Sequence, residues 1–297
     1  MKLSICIVNW EGGEIFNKCL QSITSNCQDI KLTDYEIIIV DNASKKIDTK
    51  TIEETPKVKL YINDSNLLFS KATNQSIEYS KGELILILNN DVILRKKCLR
   101  NLLLGIKRND AVVPQLIYPN KKIQKSVTGL PSIIDVFYTS TGINHLNKKY
   151  DNWLLNHFDY TKKQVVSGQP CFSALLLKRK TWEKVGPLDE NFPLLWNDTD
   201  WFLRFQKKGL KCLYNPQSKV IHIHGMSVNK NKYKKVFIST KYMYKYFKKN
   251  SVNKNKFQFL ILKVICIYTF FIRIITNSFI CLIENIKQIF YKTRTKG

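Results

Sequence analysis

Apolar runs that alternate with stretches of helical spacing, and that stop on amides or carboxylates, predict an α/β fold: a doubly wound, mostly parallel sheet flanked by helices. Three observations carry this prediction. The runs at 3–8, 35–40, 58–62 and 84–88 are short and continuous, as in strands buried on both faces. Between them apolar residues recur every three or four positions, as on one face of a helix. The runs end at Asn9, Asp41 and Asp91, which sets polar groups along the carboxyl edge of the sheet, where ligands of such folds bind.

Taken in order, "LSICIV" is a first strand that runs into Asn9, Trp10 and the Gly12-Gly13 pair. Ile15, Phe16, Cys19, Leu20 and Ile23 give the next helix its apolar face. "YEIIIVDNAS" repeats the strand-then-polar-turn design, and Val58 to Ile62 is a third strand. The second half of "NDSNLLFSKATNQSIEYSKG" reads as a helix closed by Gly82. "LILILNND" is the fourth strand. Residues 110–165 are irregular; a strand resumes at Ala174 to Leu177, and "KRKTWEKVGPLDENF" is a helix stopped by Gly186 and Pro187. "WNDTDWFLRFQKKG" reads as an N-capped helix ending at Gly209, and "KVIHIHGMS" sets Val220, His222 and His224 on one strand face.

The 297 residues carry 48 Lys plus Arg against 23 Asp plus Glu, a net charge of +25. Such a charge raises nucleic acid as a partner, but its distribution argues against one. Residues 201–297 hold 21 of the basic groups and only one acid, so the first two thirds are near neutral. The basic part is an appendage facing something anionic. Eight cysteines form no C-x-x-C pair and several lie in apolar runs, which predicts free thiols in a reducing compartment. The apolar run at the N-terminus is too short for a signal segment, so export is not expected.

Several side chains could carry chemistry. Asp91, at the end of a buried strand, suits a hard divalent cation, although Asn89 to Asp91 equally suit a turn. Asp198 and Asp200 stand at a helix start, either as a dipole-stabilising pair or as catalysts. His222 and His224 are ligand candidates or satisfied interior groups, and no cysteine flanks them at zinc-site spacing.

Six segments in order, "SICIVNW", "EIIIVDNAS", "NDSNLLFSKATNQSI", "LILILNNDVIL", "VGPLDENFPLLWNDTDWFLRFQKKG" and "VIHIHGMS", resemble glycosyltransferase family 2, and most closely its rhamnosyltransferase-like branch. The resemblance covers about residues 3–250. It implies a GT-A fold over 1–229, with 1–110 as the nucleotide-binding half and 111–229 as the acceptor-binding and catalytic half. It also implies inverting transfer from a nucleotide-sugar donor with Mg²⁺ or Mn²⁺. Val8, Asn9, Trp10, Asp41 and Asn42 match positions that hold base and ribose, and Asn66 and Lys71 match the segment beside the nucleotide. There Leu68 stands where the family has glycine. "NND" occupies the family's D-x-D position, with Asn89 and Asn90 beside the nucleotide and Asp91 as metal ligand. Asp198 matches the general base, and Asn197 stands where a first acid is usual. The "H-x-x-G-x-S" spacing favours His222 as a metal or pyrophosphate ligand, with His224 as the alternative. Gly168 matches a turn lining the acceptor pocket, with Asn197 and Trp196 beside it. Trp196 reads as a stacking platform or as a core aromatic.

Residues 230–297 form the basic, amphipathic helical extension, with the mostly apolar run at 257–283 broken by Lys263 and Arg273. Those charges argue against a span and for a helix lying on an anionic membrane surface. The expected reading is thus a transferase at the cytoplasmic face of the inner membrane, acting on a glycan or lipid-linked glycan. Two other readings are a nucleotidyltransferase, for which "NWEGGEIF" lacks the loop arginine, and an inactive relative, suggested by Asn89 and Asn197.

Overall fold

The computed structural model describes residues 2–146, 148–155, 157–223, 232–250, 260–275 and 278. The elements begin β1 (Leu3–Asn9), α1 (Gly13–Asp29), β2 (Tyr35–Asp41), α2 (Thr49–Glu54), β3 (Val58–Ile62), α3 (Leu68–Glu78), β4 (Leu84–Asn89) and β5 (Val92–Leu94). They continue with α4 (Cys98–Ile106), β6 (Ala111–Ile117), β7 (Val127–Thr128), α5 (Ile133–Thr141), β8 (Gln164–Val165), β9 (Gln169–Pro170) and β10 (Ala174–Lys178). Last come α6 (Arg179–Val185), α7 (Asn197–Lys207), β11 (Cys212–His222) and α8 (Lys232–Asn250). Two compact units result: Met1–Leu130 with Leu154–Met226, and Pro131–Trp153 with Ser227–Gly297.

In the first unit nine strands form one sheet in the order β3-β2-β1-β4-β10-β6-β11-β5, with β8 added to β11. Its longest ladders, β1 with β2 and β6 with β11, are parallel, and the antiparallel β10 joins the two parallel halves between β4 and β6. β4 is buried on both faces, which explains its unbroken apolar run. Leu84, Leu86 and Leu88 enter one core cluster with Phe16, Leu20 and Ile23 of α1 and Leu99 and Leu102 of α4. Ile85 and Ile87 enter the opposite cluster with Trp201, Phe202 and Phe205 of α7.

Two sequence expectations need correction. α3 ends at Glu78, and Gly82 does not close it; a Cβ at Gly82 would lie 2.6 Å from the Ser4 nitrogen, so glycine is there for close approach to β1. α7 has no side-chain cap at its N-cap position, Trp196. A strand also lies where the sequence looks irregular. β6 contains Pro114, and its ladder with β11 slips between Asn215 and Lys219 at that position, a bulge that accommodates the missing N–H. The seven described cysteines are free.

Long-range polar contacts dock α3 onto the segment leading into α7. Asn74 donates from Nδ2 to the Leu188 carbonyl and accepts from the Leu188 N–H, at 3.0 and 2.9 Å. Ser70 donates from Oγ to the Phe192 carbonyl at 2.6 Å and accepts from Asn197 Nδ2 at 3.1 Å. Asp200, fully buried, accepts from Arg204 Nε at 3.0 Å, while the same guanidinium donates to the carbonyls of Val185 and Pro187. Together these bonds fix where α7 begins.

In the second unit α5 packs on the helical stretch 260–275 through a Ser140–Thr269 hydroxyl contact of 3.0 Å, and Phe237 of α8 meets Phe270 edge-on. Among the described residues no helix is long and apolar enough to cross a membrane.

Ser70 is completely buried, so Ser70→Ala strips a hydrogen bond from both the Phe192 carbonyl and the Asn197 amide. Urea unfolding should show a loss of about 1–3 kcal/mol at unchanged m-value. An unaltered midpoint would mean that this contact does not hold α3 to α7.

Candidate active site at the carboxyl edge of the sheet

The parallel register sets Asn9 opposite Asp41, and Val8 opposite Asn89, so three strand ends meet at one edge. Asn90 Nδ2 donates to Asn9 Oδ1 at 2.9 Å, and Asn9 Nδ2 donates to Asp41 Oδ2 at 2.6 Å. Ser44 closes the chain, its N–H on Asp41 Oδ1 and its hydroxyl on Oδ2, both at 2.8 Å. Gly12 is required here: a Cβ would lie 2.4 Å from Asn9 Oδ1 and 2.6 Å from Asn90 Nδ2.

Asp41 and Asn42, expected beside the nucleotide, are both engaged within the fold. Asp41 is 1% exposed with both oxygens engaged, and it holds the loop together. Asn42, also buried, donates to the Leu68 carbonyl and accepts from Asn63 Nδ2 and the Leu67 N–H. Val8 is half-buried and Asn9 buried; the open group of that strand end is Trp10, 39% exposed. Asn66 and Lys71 are exposed at the start of α3, where Asn66 Oδ1 accepts from the Leu68 N–H. Leu68 keeps φ at +63°, so the left-handed turn persists without the glycine that suits it.

Asp91 and His222 come together from β4 and β11. His222 Nε2 lies 3.5 Å from Asp91 Oδ1, and the Ile223 N–H donates to the Asp91 carbonyl at 3.0 Å. His222 Nδ1 lies 2.8 Å from Gln124 Oε1. A ring that donates Nδ1–H to that carbonyl turns the Nε2 lone pair toward Asp91 and Ser173, whose Oγ is 3.3 Å away. Asp91 Oδ1 and Asn89 Oδ1 are buried oxygens with no hydrogen-bond partner. Lone pairs facing one another without a proton between them suit a cation. Desolvation pushes the Asp91 carboxyl up to about 6. Among the described residues no three His, Cys, Asp or Glu side chains form a complete cage. Mg²⁺ and Mn²⁺ commonly take their remaining ligands from water and substrate phosphate, so Asp91, His222 and Asn89 fit such an ion. His224 lies outside the described residues.

Asp198 sits in the first turn of α7, with its Oδ1 accepting from the Thr199 N–H at 2.9 Å. Burial lifts its carboxyl to about 6. The Cys171 thiol, 2.8 Å from Ser173 Oγ, is pushed up to about 11 by burial, with Asp198 and then Asp91 adding to the shift. One side chain thus feels both carboxylates.

The three residues expected on the acceptor side, Trp196, Asn197 and Gly168, are placed as follows. Trp196 is 8% exposed with its backbone left-handed at φ +68°, which accords with the core-aromatic reading. Asn197 is buried and spends its amide on Ser70 and its Oδ1 on the Asp198 N–H. Gly168 is glycine because a Cβ would fall 1.9 Å from the Thr128 carbonyl, and its own carbonyl accepts from Gln206 Nε2 at 2.6 Å. Gln124, Cys171 and Ser173 were missed from the sequence. Ser173 and Gln124 stand 49 and 98 residues from the His222 they meet, and Cys171 joins them through Ser173.

An open α/β sheet whose carboxyl edge gathers an aspartate, a histidine and an orphaned amide oxygen places polar groups where ligands of such folds bind. The Glycosyl transferase family 2 model matches residues 4–169, and the chain belongs to that family. It is 23% identical over 201 residues to the O-antigen biosynthesis protein RfbC of Myxococcus xanthus, a match covering 65% of this chain and 15% of that protein. It is 24% identical over 204 residues to the uncharacterized protein y4gI of Sinorhizobium fredii, again 65% of this chain and 22% of the relative. The chain therefore spans less than a quarter of either relative's length. Among solved structures it is similar to GalNAc-T7 with UDP, GalNAc and Mn²⁺ (TM-score 0.58, 16% identity, 77% of this chain and 44% of that one). It is also similar to the mannosyltransferase PcManGT of Pyrobaculum calidifontis in complex with GDP-Man and Mn²⁺ (TM-score 0.54, 13% identity, 86% and 65%). A third is S. aureus TarS 1–349 (TM-score 0.52, 12% identity, 91% and 80%). At these identities the likeness establishes the GT-A fold.

The raised carboxyl of Asp198 has a stability consequence. The folded state binds its proton more tightly than the unfolded chain does, so stability is fullest below about pH 4 and is lost as pH rises through about 6. Asp198→Asn should stabilise the free protein at pH 7.5 by roughly 2–3 kcal/mol, seen as a higher melting temperature, with the gain shrinking toward pH 4. A variant that melts below the natural protein at neutral pH would contradict this.

Proposed function

We propose that the chain is an inverting glycosyltransferase that moves a sugar from a nucleoside-diphosphate donor, of dTDP-rhamnose or UDP-hexose type, to a hydroxyl of a cell-envelope polysaccharide or lipid-linked glycan. The observation that carries this reading is the pair of orphaned oxygens, on Asn89 and Asp91, beside His222 at the sheet edge. A divalent ion bound by Asp91 and His222 would supply positive charge to offset that developing on the departing diphosphate.

The remaining work falls to the chain's own groups. Trp10 offers an exposed ring for the base, and the Asn90–Asn9–Asp41 amide chain holds the loop that presents it. Asn66 and Lys71, at the open start of α3, face the nucleotide in this scheme. Asp198, ionised above about pH 6, takes the proton of the acceptor hydroxyl as that oxygen attacks the anomeric carbon. Attack opposite the leaving diphosphate inverts the anomeric centre in one step. Acidic assay conditions therefore lower the rate by protonating Asp198. The partly desolvated position of this carboxylate suits a base whose proton affinity must approach working pH.

The name of the Myxococcus xanthus relative supports an envelope-polysaccharide acceptor, and the UDP, GDP-Man and Mn²⁺ in two neighbours support a nucleotide-sugar donor with a divalent ion. The basic extension supports work against the anionic cytoplasmic face of the inner membrane, with no part for nucleic acid.

Thermal shift with dTDP-, UDP- and GDP-sugars, with and without Mn²⁺, tests the reading. One nucleotide class should stabilise the protein, and only with the metal present; Asp198→Asn should keep that shift while losing at least 100-fold in transfer rate. No response to any donor, or full turnover by the variant, would overturn it.

A further inference from the structure

The helical stretch 260–275 carries a burden the transferase reading does not use. Leu262, Cys266 and Thr269 are buried on one side. On the other side Leu260, Val264, Ile267, Phe271 and Ile275 are all more than half exposed. Their spacing of three or four residues stacks them as one apolar stripe. Its two cations differ in place: Arg273 reaches Ser239 Oγ at 3.4 Å, and Lys263 borders the stripe, lining the same groove as Ile267 and Phe271.

The groove runs between this stretch and α8, has a volume of about 460 Å³, and is walled by Phe237, Tyr244, Ile267 and Phe271 among others, with Lys241 and Lys263 also lining it. α8 adds Lys234, Lys245, Lys248 and Lys249, and neither helix contains an acid. Lysine beside exposed aromatic rings beside an apolar stripe is the layering of a helix at a lipid surface, with charge at headgroup depth and rings at the boundary. A protein partner covering the stripe would not need so one-sided a charge.

We propose that this unit seats itself in an anionic phospholipid leaflet: the 260–275 stripe enters the acyl layer, one acyl chain fills the groove, and Lys241 and Lys263 receive headgroup phosphate. Snorkelling lets both lysines keep their charge in the headgroup layer while their stems line the groove. The inference rests on the membrane part of the proposed function and names its face and occupant; lipid binding and sugar transfer are measured in separate assays, so either can fail without the other.

Flotation of the full chain with phosphatidylglycerol or phosphatidylcholine vesicles tests it. The chain should bind the anionic vesicles, and part of the binding should survive about 0.5 M salt, where surface attraction is screened within roughly 4 Å. Ile267→Asn with Phe271→Asn should weaken binding at least tenfold without lowering the melting temperature, because both side chains are already exposed. Lys241→Gln and Lys263→Gln should each cost about fivefold on anionic vesicles. Phe271→Trp fluorescence should be quenched by phosphatidylglycerol brominated in its acyl chains. Binding by the double asparagine variant equal to that of the natural chain, complete loss at high salt, or a dimer in sedimentation that the variant dissociates would each overturn the proposal.

Discussion

Everything at the site follows from β4 being buried on both faces. A strand with leucines in one core and isoleucines in the other has no room for polar groups until it leaves the sheet, and there Asn89, Asn90 and Asp91 arrive together. Their neighbours are set by register and not by loop chance: β1 delivers Asn9, β2 delivers Asp41, and β11 delivers His222 through its pairing with β5. The short run of amides from Asn90 to Asp41 then converts three separate strand ends into one surface.

Placing carboxylates there has an energetic consequence. Asp91 and Asp198 are both desolvated enough for their carboxyls to titrate near 6, and Asp91 keeps an oxygen with no donor. A fold selected only for stability would replace such groups; holding two desolvated carboxyls is a cost that a ligand's charge can offset. The tether from α3 to the start of α7 fixes the turn of α7 that carries Asp198.

Much of this was legible in the sequence because strand burial writes itself as continuous apolar runs, and the polar residues that end them are local features. Asp91, Asp198 and His222 could be singled out that way. Gln124 and Ser173 could not, since their contacts to His222 depend on a sheet that joins distant segments. β6 lies in the stretch 110–165 that reads as irregular, and a bulge in its partner accommodates Pro114. Trp196, Asn197 and Gly168 look like binding residues in a motif, yet each is taken up by packing or by hydrogen bonds within the fold. Leu68, where the resemblance implies glycine, adopts the left-handed backbone itself.

The central claim is that Asp91 and His222 form one receptor for a divalent ion and its diphosphate. Free Mn²⁺, followed by its electron paramagnetic resonance signal during titration with UDP, dTDP or GDP present, measures that receptor directly. The account predicts ion binding that strengthens with one nucleotide and weakens at least tenfold in both Asp91→Asn and His222→Ala. Equal Mn²⁺ binding by the natural chain and both variants would contradict it.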